Sequence, residues 1–112
     1  MTDFDAGDES QIQPPPSFLA LYTDPRRQRL NAPLAEVRAR YELCEDLAQA
    51  LTEHARTVSH GGTVSDDEVL GRCHAGLATA ESGVSPAEAE WVVRRLAELL
   101  DWSQPPAFLP PA

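Results

Sequence analysis

The chain has 112 residues with 9 basic against 18 acidic side chains, a formal net charge of -9. That length bounds it to one domain at most, and that charge argues against nucleic acid and anionic membrane surfaces, whose affinity comes from neutralising phosphates. Every basic residue is Arg, and without lysine or a GxxxxGK[ST] pattern a phosphate loop for ATP hydrolysis is excluded.

The first ten residues, MTDFDAGDES, pair no basic residue with an apolar run, as a signal or transit peptide would. No stretch reaches the roughly 18 apolar residues of a membrane span, so the expectation is a soluble, cytoplasmic protein. The abundance of Arg, Ala and Pro reads as the codon bias of a GC-rich, bacterial genome. Residues 1–13, with Asp3, Asp5, Asp8 and Glu9 and little to bury, read as a disordered acidic tail.

Pro14, Pro15 and Pro16 are a stiff run or a helix opening, since proline suits a first helical turn. They lead into SFLALY, whose Phe18, Leu21 and Tyr22 either dock on the core or face a partner. Asp24 and Pro25 end this segment, and Arg26, Arg27 and Arg29 follow as the densest basic patch, able to grip a phosphate or an acidic partner but read first as a solvated linker.

The stretch Pro33 to Ser59 dominates the chain. Leu34, Val37, Tyr41, Cys44, Ala48, Leu51, Ala55 and Val58 recur at steps of three and four with no Gly or Pro among them, which predicts one long amphipathic helix. Asn31 suits its N-cap and Gly61 and Gly62 its stop. Arg38 and Glu42 are spaced for an i,i+4 ion pair on its outer face, beside Glu45 and Asp46.

Ser65-x-x-Glu68 and Ser85-x-x-Glu88 are capping-box patterns ahead of apolar runs, predicting helices from about Asp66 to Ala78 and Pro86 to Asp101 with a short link containing Gly83. Residues 103–112 hold four prolines and read as a frayed tail, with Phe108 and Leu109 as its apolar content. The fold expected is all-α: a small three- to four-helix bundle over residues 14–102, around one long central helix, with disordered ends.

No catalytic, cofactor or metal site stands out. Cys44, His54, His60, Cys73 and His74 lack ligand spacing, and His74 points about 100° away from neighbouring Cys73 on a helix. The segments RYELCEDLAQALTEHA (40–55) and EAEWVVRRLAELLDW (88–102), with PSFLALY upstream, are similar to a family of small proteobacterial proteins labelled "ATPase with chaperone activity", a likeness spanning most of residues 16–102. The resemblance brings no catalytic residues, and the ATPase half of the label conflicts with the missing phosphate loop. The functional expectation is a non-enzymatic adaptor or chaperone-like module that binds a protein, including a second copy of itself, through Phe18, Leu21, Tyr22, Trp91 and Trp102. The alternative is a thiol- or metal-handling accessory protein or enzyme using Cys44, Cys73 and His74.

Overall fold

The computed structural model describes residues 13–105; the acidic tail and the Phe108–Leu109 stretch lie outside the described residues. Among the described residues there are four α-helices and one two-stranded hairpin, besides two short 3-10 turns: α1 (Pro16–Leu19), β1 (Thr23–Asp24), β2 (Arg29–Leu30), α2 (Leu34–His60), α3 (Asp66–Leu77) and α4 (Pro86–Leu100). The chain is a small helical bundle with one long helix, as the sequence predicts. It sorts into two compact units that divide between Glu42 and Leu43, inside α2.

In the first unit, Pro15 caps α1 in an extended conformation, and its carbonyl accepts from the backbone of Phe18 at 2.9 Å and Leu19 at 3.0 Å. Pro16 at the first helical position needs no N–H partner. A 3-10 turn over Ala20–Tyr22 extends this segment. The Phe18 ring is wholly buried, 5.8 Å from Tyr22 and edge-on to Tyr41 at 5.6 Å, so SFLALY docks on the first turns of α2.

The basic stretch is not a linker. It is the turn and second strand of a hairpin in which Thr23 pairs with Leu30 and Asp24 with Arg29. Sequence reasoning misses it because strands of two residues carry no alternation, and the turn is built by side chains instead. The Asp24 carboxylate accepts from the Arg26 backbone at 2.9 Å, Gln28 donates through its backbone to the Asp24 carbonyl at 2.8 Å, and Gln28 itself sits at φ 57. The hairpin also moves the start of α2. The Asn31 backbone donates to the Tyr22 carbonyl at 2.7 Å, and the first helical bond runs from Val37 to the Pro33 carbonyl at 3.0 Å, so Pro33 rather than Asn31 takes the cap position. The Arg38–Glu42 pair is not among the ion pairs of the described residues, and Arg38 Nε is buried without a hydrogen-bond partner.

In the second unit, α2 closes at Gly62, whose φ of 78 lies in the left-handed region that glycine adopts at low cost. The core gathers Ala55 from α2, Val69 and Leu70 from α3, and Val93, Leu96 and Ala97 from α4, with Leu51, Val58, Cys73, Leu77, Leu100 and Trp102 packed around them. The two capping-box sequences behave differently. At Ser85 the exchange is reciprocal, Glu88 N–H to the Ser85 hydroxyl at 3.1 Å and Ser85 N–H to the Glu88 carboxylate at 2.8 Å, and Glu88 is buried. At Ser65 the hydroxyl accepts from Glu68, but the Glu68 carboxylate turns to Arg72 at 2.9 Å.

Helix α4, not α2, is the most enclosed element. Ala89, Trp91, Val92, Val93, Leu96 and Ala97 are all buried, which takes more than one face of the helix. It ends with Asp101 at φ 59, where the Trp102 backbone donates to the Ala97 carbonyl at 2.9 Å. That six-to-one bond is a Schellman closure, and it folds Trp102 onto the core. The chain then returns beside α4: Gln104 donates to the Arg94 carbonyl at 3.2 Å and Arg94 to the Pro105 carbonyl at 3.2 Å.

Candidate binding groove

The spacing that makes α2 amphipathic leaves Leu51, His54 and Val58 along one side of its C-terminal half. Val69, Arg72, Cys73, Gly76 and Leu77 stand on the matching side of α3. Between them lies an open groove of about 440 Å³, inside the range of small-ligand and side-chain pockets. Its lining is mainly apolar, with the imidazole of His54 and the guanidinium of Arg72 as polar groups. The Arg72 guanidinium is already committed to Glu68, at 2.9 Å.

Glycine 76 keeps this groove open. A side chain built there meets nothing within 4 Å, so the glycine is not required by any close approach of neighbouring atoms. The same holds at Gly71, and two glycines in a twelve-residue helix weaken α3 by roughly 0.5–1 kcal/mol each relative to alanine.

Cys73 lines the groove half-buried, and burial pushes its thiol above the ordinary range, so it remains protonated at neutral pH. Cys44 is fully buried on α2 and is not among the lining residues. His74, next to Cys73, is also not among the lining residues, which fits the 100° step between helix neighbours. No group of three His, Cys, Asp or Glu side chains among the described residues is placed to hold a metal ion.

Of the residues singled out for partner contact, Phe18 has no exposed surface and Trp91 is only 8% exposed, so both serve as core in this conformation. Leu21, Tyr22 and Trp102 are half-buried, and Trp102 covers the second unit's core. Among the described residues the exposed large apolar side chains are instead Leu34 and Leu43, each 40% exposed. The groove residues Leu51 and Val58 lie on the predicted stripe; Gly76, Leu77 and Arg72 do not announce themselves, because a gap between helices is set by what fails to fill it.

A second feature ties α2 to α4. Arg95 donates to both carboxylate oxygens of Glu45, at 2.9 Å and 3.0 Å, and also to Glu98 at 3.1 Å. The hydrogen bond from Arg95 holds the Glu45 carboxyl below its ordinary value, and the same bond pushes the Arg95 guanidinium higher still. Of the acidic group on α2, Glu45 therefore has a structural partner and is not free for acid-base work.

No family model matches the chain, and no curated protein or solved structure does either. No helix of the described residues is long and apolar enough to cross a membrane.

Proposed function

We propose that the protein is a non-enzymatic interaction module, an adaptor or chaperone-like accessory protein of a bacterial cytoplasm, and that its groove receives the apolar face of an amphipathic helix from a partner protein. The observation that carries this is the groove between α2 and α3: apolar walls from Leu51, Val58, Val69, Cys73 and Leu77 on two helices, open to solvent, the kind of surface that takes the i, i+3 and i+4 side chains of a third. Helix addition to an existing helix pair uses the same packing that builds the core. The protonated Cys73 thiol acts as a small apolar surface there, not as a nucleophile. Two free cysteines suit a reducing compartment.

The test is a selection of amphipathic helical peptides from a displayed library against the native protein, followed by affinity measurement on Gly76→Phe. The added ring occupies the open space at that position and improves helix propensity, so the fold is retained while the groove is filled. Affinity should drop by about tenfold or more, the usual consequence of blocking a central contact. Peptides that bind Gly76→Phe as well as the native protein, or a selection that returns none, would overturn the proposal. Sedimentation decides whether a second copy supplies the helix: a dimer abolished by Gly76→Phe is the homodimeric form of the same mechanism.

A further inference from the structure

The β1–β2 hairpin carries Arg26, Arg27 and Arg29, all exposed, on a backbone fixed by its own hydrogen bonds. We propose that this hairpin is a docking surface for an acidic peptide segment of a partner protein. The inference is independent of the groove, which lies in the other compact unit.

Three observations converge on it. The first is order. The ladder pairs Thr23 with Leu30, the Asp24 side chain and backbone each bind the turn, and the Gln28 amide side chain donates to the Pro25 carbonyl at 3.0 Å. Guanidinium groups projecting from a fixed turn lose less backbone freedom on binding than the same groups on a linker.

The second is availability. Among the described residues the hairpin's one ion pair is Arg27 with Asp24, at a long 3.9 Å and with the Arg27 side chain 74% exposed. The other acids close in sequence, Glu36 and Glu42, form no ion pair with the hairpin among those of the described residues. Arginine recognises planar carboxylates in a two-pronged geometry, and three arginines within four positions can serve adjacent acidic side chains.

The third is charge distribution. Residues 13–42 hold Arg26, Arg27, Arg29, Arg38 and Arg40 against Asp24, Glu36 and Glu42, a local excess of positive charge in a chain of net charge -9 whose acidic residues Asp3, Asp5, Asp8 and Glu9 precede that stretch. A long polyanion such as nucleic acid is repelled by that total charge. A short acidic peptide needs only the field within a Debye length, about 8 Å at physiological salt, and three exposed arginines within four positions supply that field locally.

Isothermal titration of the full chain provides the test, with a peptide of alternating Glu and Gly as probe and an oligothymidylate of equal charge as comparison. The peptide should bind at low salt and weaken as salt rises. The variant Arg26→Ala/Arg27→Ala/Arg29→Ala should lose about tenfold in affinity, the product of three modest exposed pairs, with unchanged circular dichroism because all three side chains are exposed. Gln28→Pro keeps every arginine but removes the Gln28 N–H and forbids its positive φ, so it should weaken the peptide comparably. The proposal is overturned if the peptide does not bind, if the triple variant binds it equally, if Gln28→Pro leaves binding intact so that net charge alone suffices, or if the oligonucleotide binds more tightly than the peptide.

Discussion

Asp101 shows how a single residue can hold a fold together at some cost to itself. It occupies the left-handed region at the end of α4, where glycine is preferred, and it places a carboxylate at the negative end of the helix dipole. Replacing Asp101 with Gly should therefore raise stability by roughly 1 kcal/mol, read as a later urea midpoint with unchanged slope. Asp101→Val should lower it, since a β-branched residue tolerates that conformation poorly. The sequence does not mark this position: an aspartate after Leu-Leu looks like a solvent-facing stop, and only the Trp102-to-Ala97 bond reveals the closure. Cys73 gives a second residue-scale expectation. With its thiol raised by burial, the thiolate appears only at higher pH than for an ordinary thiol, so alkylation should be slow at neutral pH and accelerate as pH rises beyond the usual thiol range. Cys44, with no exposed surface, should react only on unfolding, so mass spectrometry of the native protein should find label at Cys73 first.

Among the elements, the pairing of α2 with α4 depends on Glu45 and Arg95. Their side chains are 19% and 32% exposed, and a two-pronged pair of this kind contributes about 1 kcal/mol after allowance for solvent screening. Because the folded state holds Glu45 below its ordinary value of 4.5, the unfolded chain takes up the proton first as pH falls. The contribution is therefore complete above that value and lost as pH drops through the lower folded one. Glu45→Gln should lower the urea midpoint at pH 7, and the gap from the native protein should close in acid; a gap that persists there would mean the pair acts by packing rather than by charge. Helix positions were legible because three- and four-residue steps and the Ser-x-x-Glu caps are local signals, and all three long helices fall within a residue or so of their predicted limits. Cross-helix partners were not. Nothing along the chain says that Glu45 pairs with a residue fifty positions away rather than with a neighbour on its own helix. The hairpin escaped for the opposite reason, being too short for any periodicity to show.

Taken whole, the molecule inverts the hierarchy its sequence suggests. Length makes α2 the expected spine, yet along it only Val37, Cys44, Ala48 and Ala55 are buried, while the fifteen-residue α4 buries seven, Glu88, Ala89, Trp91, Val92, Val93, Leu96 and Ala97. A long helix with small residues on its stripe gives its neighbours room to approach, and the bulk comes from the Trp-Val-Val run they bring. The candidate groove follows from the same economy of volume, since glycine at Gly76 leaves space that a larger residue would have filled. Chemistry is likewise divided, with the cationic hairpin in one unit and the apolar groove in the other. The aromatic residues follow the same division: both tyrosines, Tyr22 and Tyr41, belong to residues 13–42, and both tryptophans, Trp91 and Trp102, belong to residues 43–105. Indole emission thus reports on one unit and phenol absorbance on the other, so the native chain carries its own two-channel optical reporter. Coincident denaturation curves in the two channels would show that the units melt as one, and separated curves would give the stability of each without a single label or mutation.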